Sequence, residues 1–343
     1  MWALFPKSGN GATVDTENAD TEELPRKVCE STRPFDAAPP PYPRALSGRL
    51  VSFSASSSHK SRSTMDDDAV DPSSASDDRS AFEKAQDEQD DVDPRTIPQR
   101  LGEPPPTGDD IEYPDHSADD HETWGLLVDR QMDQLPGRAC EAYLRGQDVL
   151  RIEADRIPRL ADLSHRLEEE TGWTVANVPG LIHEKNFFEL LADRTFPSTN
   201  YVRDRDELDY TPAPDCFHDI FGHMPMLTQP DFADFYQLFG RAALAAEGAD
   251  RPRLERFHWF TVEFGLIQEQ GENRIFGAGI VSSNEEVTHA LSDEVTLHPF
   301  DPAHIVEKDD YEVYTLQDEL FVLDSFEQLV EGFRDWTTSR GLL

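Results

Sequence analysis

The chain has 343 residues and a formal net charge of −38, from 31 basic and 69 acidic side chains. A charge this negative argues against nucleic acid or an anionic membrane surface as a partner, since both would repel it. Hydrophobic residues make up only 37%, so part of the chain is expected not to fold.

That part is residues 1–108. They are rich in Ser, Pro and Asp, as in Pro39-Pro40-Pro41 and Pro104-Pro105-Pro106, and carry no sustained apolar period. Residues 79–92 allow a charged helix with too thin an apolar face to bury much. Charge also divides here: residues 1–64 hold 8 basic and 7 acidic side chains, the remaining 279 hold 23 and 62. Beyond Met65 lysine occurs only at Lys84, Lys185 and Lys308. An acidic surface that prefers Arg suits concentrated salt, which screens self-repulsion; a salt-adapted proteome is the expectation. Two readings of residues 1–64 stand side by side: a flexible tail, or a mis-assigned extension with Met65 as the translation start. Cys29, Cys140 and Cys216 have no metal-type spacing and form no disulfide framework, which suits a reducing cytoplasm. No run of about 18 apolar residues marks a membrane span, and the apolar run at Met1–Phe5 is too short for a signal peptide.

Order is predicted from Tyr113. Trp124, Leu127, Val128, Met132 and Leu135 recur at helical spacing until Pro136-Gly137. Further helices are predicted at 138–150 and at 159–171, where Leu160, Leu163 and Leu167 share a face. A short strand fits Trp173-Thr174-Val175, and Pro179-Gly180 turns the chain into Leu181-Ile182 and a helix over 184–193. Helices follow at 215–223, 231–247, 253–270 and 284–292, the last with Ser283 or Asn284 as cap. Strands fit Arg274-Ile275-Phe276 and the alternating stretches near 311–323, and a final helix covers 325–338. There is no regular strand–helix alternation. The fold class is mainly α with minor β, in one domain of about 235 residues over 109–343.

Ligand-type residues are densest at Pro214–Pro225, where His218 and His223 stand five apart. On a regular helix five residues turn through about 500°, a net ~140°, so the pair shares no face unless the helix ends or bends, with Gly222 and Pro225 as the expected breaks. Zincin histidines are four apart with a Glu between them, so this is another motif. Glu263 is the only charge in the apolar run Trp259–Leu266. A buried carboxylate without a partner is costly, so Glu263 is exposed, paired or bound to metal. Two imidazoles and a carboxylate form the facial triad of non-haem Fe(II) oxygenases; zinc, manganese or plain packing also fit that donor set. His183, His258, His289, His298 and His304 show no grouping and read as structural or surface residues.

The stretch PDCFHDIFGHMP, with WFTVEFGL at 259–266 and FGAGIVSS at 276–283, resembles the aromatic amino acid hydroxylases. The resemblance runs from about Tyr113 to the C-terminus. It takes in LPGRAC at 135–140, TGWTVANVPGLI at 171–182, LDYTPAPD at 208–215 and VLDSFEQL at 322–329, in the family's order. It points to the short bacterial members, which convert L-phenylalanine to L-tyrosine. It implies a non-haem Fe(II), O2 as cosubstrate, and tetrahydrobiopterin or a related tetrahydropterin. By the same resemblance His218, His223 and Glu263 match the iron ligands, and Asp219 an acid near iron and pterin. Phe187 matches the residue that stacks on the pterin, and Gly180, Leu181 and Ile182 the loop at its edge. Arg203 and Ser282 match the residues that hold the substrate carboxylate, a role an Arg fork suits. Asp215 matches the acid that orients Arg203, and Thr211, Pro214 and Trp259 the pocket wall. The resemblance leaves ring choice among phenylalanine, tyrosine and tryptophan open, and a non-catalytic pterin-binding regulatory protein is the rival from another class.

Two positions depart from the family pattern. His258 stands where members usually carry Tyr, and an effect on packing is expected. His183 either touches the pterin edge or faces water. With no sensory domain ahead of the catalytic domain and no coiled-coil helix after 325–338, a cytoplasmic monomer is expected.

Overall fold

The computed structural model of the chain describes residues 93–209, 211–308, 311 and 315–343. The helix predicted at 79–92 and the question of Met65 lie outside the described residues. Order starts earlier than predicted. Residues 93–108, grouped above with the disordered segment, form 3-10 turns at Pro94–Thr96 and Gly108–Asp110. Arg95 forks onto Glu207 through two bonds of 2.7 Å. Gln99 exchanges backbone hydrogen bonds with Leu181 and His183. This anchoring uses one guanidinium and the main chain rather than an apolar stripe, so it left no periodic signal.

Helix α1 (Ala118–Met132) opens on a capping box of Ser117 and Asp120, which satisfies two donors stranded at a helix start. Helix α2 spans Glu141–Leu150 and α3 spans Leu160–Thr171. The end of α3 falls at Gly172, whose φ of 72° is open to glycine at little cost. Strands β1 (Thr174–Asn177) and β2 (Thr195–Ser198) pair in parallel, with α4 (Glu184–Ala192) crossing between them. Helix α5 runs over Pro230–Ala245 and α6 over Asp250–His258.

The helix predicted at 253–270 divides here. A wide turn holds Trp259–Glu263, and Leu266–Glu269 is strand β3. An unbroken apolar run reads as helix or strand alike, so periodicity could not find the switch. A two-residue turn, Gln270 and Gly271 with φ of 54° and 85°, folds β3 onto β4 (Glu272–Ile275). Short helices α7 (Ala278–Val281) and α8 (Glu286–His289) follow, then β5 (Thr296–Pro299), α9 (Pro302–Val306), β6 (Glu319–Leu323) and α10 (Phe326–Ser339). The sheet order is β4-β3-β6-β5, with β6 parallel to both neighbours. The helix predicted at 284–292 contracts to α8, and of the strands predicted near 311–323 β6 is the one that forms among the described residues.

Phe232, Phe235, Tyr236 and Phe239 of α5 are buried at helical spacing. Phe235 meets Phe333 of α10 edge-on at 5.2 Å. Burying one such ring is worth about 1.5–3 kcal/mol, which makes α5 the centre of the core. Its Tyr236 and Phe239 extend that core to His258, at centroid distances of 5.8 and 5.1 Å.

A candidate metal centre in two wide helical turns

Both stretches that carry metal-type residues leave α-helical geometry. Pro214–Pro225 contains a π-helical turn over His218–His223, and a second holds Trp259–Glu263. In a π turn the bonds run from i to i+5, so residues five apart stack one turn apart. The predicted break at Gly222 or Pro225 is therefore a widening instead. His218 and His223 share a face because the turn between them is one residue larger than an α turn. Side chains support both turns. Thr261 donates its hydroxyl to Phe257 O at 2.5 Å, a back-bond that loosens a helix. Tyr143 of α2 donates to Phe221 O at 2.8 Å. Gly146 lets α2 come this close, since a Cβ there would sit 2.2 Å from Pro225 O.

The two turns bring His218, His223 and Glu263 together, all buried, with ligand atoms within 4.8 Å of one another. His218 Nε2 lies 3.0 Å from His223 Nε2 and 3.7 Å from Glu263 Oε2. His223 Nε2 lies 3.4 Å from Glu263 Oε1. Neither Glu263 oxygen has a hydrogen-bond partner among the described residues. Burial, with Asp219 nearby, pushes the Glu263 carboxyl up to about 7, and burial holds both histidines well below their usual value, hence neutral. Ser282 donates to Ala278 O at 2.7 Å, so its oxygen can only accept from His218 Nδ1, 3.0 Å away. With the Ser282 proton assigned to Ala278 O, the shorter contact, the lone pair of His218 is on Nε2, toward Glu263. Buried carboxylate oxygens without a hydrogen-bond partner among the described residues, beside two neutral imidazoles, are the chemistry of a divalent cation site.

Arg203 and Asp215 form the second charged group. Asp215 Oδ2 accepts from the Arg203 backbone N and Nε, both at 2.9 Å. Its Oδ1 accepts from Arg203 Nη2 at 2.8 Å and from His218 N at 3.1 Å. Burial opposes ionisation of Asp215, but Arg203 outweighs it and holds the carboxyl below the usual range. One carboxylate thus ties the fork to the turn that carries His218. Asp219 accepts from Thr199 N at 2.8 Å, and burial pushes its carboxyl up to about 7.

The remaining predicted residues lie around these groups or in the loop before α4. Trp259 begins the turn that ends at Glu263; its ring stacks on Tyr311 at 4.4 Å and its Nε1 donates to Gln317 at 2.9 Å. Thr211 donates to Ala213 O at 3.0 Å, and Pro214 O accepts from Tyr201 at 2.6 Å, which shapes the approach to Asp215. Gly180, Leu181 and Ile182 form the loop that enters α4, where Phe187 packs edge-on to Phe188 at 5.6 Å. His183 caps α4, its Nδ1 accepting from Lys185 N at 3.2 Å. Ser282, expected on a substrate carboxylate, spends its proton on Ala278 and orients His218. Sequence reasoning singled out neither Tyr311 nor Gln317, and His258 only as a departure expected to affect packing. His258, read as structural or surface, has Nδ1 3.8 Å from Glu263 Oε1 and Nε2 3.1 Å from the Tyr236 hydroxyl. Tyr311 and Gln317 come from a stretch read only as strand. A polar group among apolar neighbours at Tyr236 was the one signal of such a pairing.

A family model of biopterin-dependent aromatic amino acid hydroxylases matches residues 99–340. The phenylalanine-4-hydroxylase of Chromobacterium violaceum is 44% identical over 219 residues, 63% of this chain and 73% of the relative. A crystal structure of phenylalanine hydroxylase from that organism, with bound iron(III) and 7,8-dihydrobiopterin, matches with a TM-score of 0.64 and 41% identity, over 67% of this chain and 85% of that one. The structure of phenylalanine hydroxylase from Legionella pneumophila matches with a TM-score of 0.62 and 40% identity, over 67% and 94%.

Proposed function

This chain belongs to the biopterin-dependent aromatic amino acid hydroxylase family, and we propose that it converts L-phenylalanine to L-tyrosine with O2 and a tetrahydropterin at a mononuclear non-haem iron. The observation that carries this is the buried meeting of His218, His223 and Glu263, whose carboxylate has no hydrogen-bond partner among the described residues. The relatives named phenylalanine-4-hydroxylase favour phenylalanine as the ring.

His218, His223 and Glu263 would hold the iron. Iron and pterin together supply the activation of O2 when bound. The protein does the rest. Ser282 keeps the His218 lone pair on Nε2. Arg203, pinned by Asp215 through Nε and Nη2, offers its remaining edge to the substrate carboxylate. Trp259, Thr211 and Pro214 wall the substrate ring and exclude water. Phe187 would stack on the pterin, and the main chain at Gly180, Leu181 and Ile182 would meet its edge. Asp219 presents an acid near iron and pterin.

The test is turnover of the purified protein with Fe(II), a tetrahydropterin and each of phenylalanine, tyrosine and tryptophan. Tyrosine formed from phenylalanine is expected. Hydroxylation of tryptophan or tyrosine instead reassigns the ring. A protein that binds pterin and hydroxylates none of them is the regulatory alternative, and the enzyme reading fails.

No helix among the described residues is long and apolar enough to cross a membrane. We read the protein as a cytoplasmic monomer that binds neither nucleic acid nor membrane. The charge of −38 further predicts salt adaptation: Tm should rise between 0.1 and 2 M KCl, and a flat profile would contradict it.

A further inference from the structure

Four acids are buried among the described residues, and three of them, Asp215, Asp219 and Glu263, lie in the site above. The fourth is Glu286 on α8, 3% exposed. Its Oε1 accepts from the backbone N–H of Gln317 at 3.1 Å, and its Oε2 has no partner among the described residues. A buried carboxyl with one donor costs free energy, so what that donor secures is the question.

Gln317 is itself held at each of its polar atoms. Its N–H goes to Glu286, and its carbonyl meets His289 Nε2 at 3.2 Å. Its Oε1 accepts from Trp259 Nε1 at 2.9 Å, and its Nε2 donates to Thr315 O at 2.9 Å. Two residues of α8 therefore grip the main chain of Gln317, whose side chain accepts the Trp259 indole N–H. Trp259 stacks on Tyr311 at 4.4 Å with 20° between planes, so a hold on the indole also supports the Tyr311 ring.

We propose that Glu286 is a positioning residue for the aromatic pocket: through Gln317 it holds Trp259 and Tyr311 against the substrate ring, and so sets affinity for the amino acid without touching it. This rests on the reading of Trp259 as pocket wall. The charge of Glu286 is not required. Burial, with Glu285 and Asp318 close by, pushes its carboxyl up to about 7, so a neutral amide of the same shape is a fair replacement.

The test compares wild type, E286A, E286Q and Q317L, each loaded with Fe(II) and tetrahydrobiopterin. E286A should raise KM for L-phenylalanine about tenfold, more than it lowers kcat, the size of one lost buried hydrogen bond. Its KM for pterin and its iron content should stay at wild-type values. E286Q, which keeps the acceptor, should restore KM to within about twofold of wild type. Q317L leaves Glu286 in place but releases the indole, and should raise KM as E286A does; it carries the test if E286A does not fold. A KM unchanged in Q317L or in folded E286A overturns the proposal, as does E286Q as impaired as E286A. Calorimetric Kd values for L-phenylalanine on the same proteins separate this from the functional reading. A wild type that binds the amino acid without turnover refutes the activity, and the Kd series then decides the role of Glu286.

Discussion

Replacing Asp215 by Asn tests the arrangement around Arg203 most sharply, because the structure forbids a harmless orientation. Oδ2 accepts from Arg203 N and Nε, and Oδ1 accepts from Arg203 Nη2 and His218 N. An amide has one acceptor oxygen, so whichever oxygen becomes NH2, two buried donors face a donor. Each orphaned donor costs about 1–3 kcal/mol, and leaving a buried Arg without its carboxylate costs about 3–5 kcal/mol. These overlap rather than add, so a loss of about 3–5 kcal/mol is expected, a large share of a normal 5–15. Urea unfolding at pH 7 with unchanged m-value measures it. In a variant that still folds, KM for phenylalanine should rise at least tenfold while KM for pterin holds. A loss below about 1 kcal/mol, or an unmoved amino-acid KM, would refute the reasoning. Since Asp215 is held below its ordinary value, its contribution is fully present above about pH 4 and disappears as pH falls further.

Three further outcomes are expected. Glu263→Ala should lose iron on dialysis, with affinity down at least 10–100-fold; metal analysis showing wild-type iron content would remove Glu263 from the ligand set. Iron uptake should be pH-dependent, because burial lifts the metal-free Glu263 carboxyl to about 7: affinity should fall about tenfold per pH unit below 7, as a proton competes with the metal. In the metal-free protein the same shift stabilises the fold at low pH and is lost as pH rises from 4.5 through about 7; a pH-independent affinity between 5.5 and 7 would contradict it. Gly277→Ala should displace the Glu263 turn, since its Cβ would lie 2.4 Å from Glu263 O and 2.5 Å from Gly265 N. A thermal melt should show about 1–3 kcal/mol lost, with lower iron occupancy; a melt identical to wild type would mean that the backbone yields freely there.

How much of this was legible in the sequence depends on what encoded it. α1, α3, α5 and α10 were readable because each buries a stripe at helical spacing. His218 and His223 were readable as a dense group of ligand-type residues and Glu263 as the one charge in an apolar run, and the run of family motifs then made a metal the expectation. The strand after Glu263 was not, since a fully apolar run has no period to distinguish the two states. Nor was the anchoring of residues 93–108, which depends on Arg95 finding Glu207 more than a hundred positions away. Gln317 and Glu286 belong to the same class: their roles exist only through contacts distant in sequence, and an isolated Gln or Glu announces nothing.

The two wide turns give the site a second code, written in chain length. A π turn is an α turn with one residue more, so the triad depends on a count of residues as well as on their identities. Deleting any one of Asp219, Ile220, Phe221 or Gly222 would leave every ligand in the chain and still set the histidines four apart, in the register of a different metal motif. A substitution scan cannot see this constraint. A scan of single-residue deletions would find it at two short windows, and those windows are where an insertion or deletion between relatives would first change which metal the scaffold can hold.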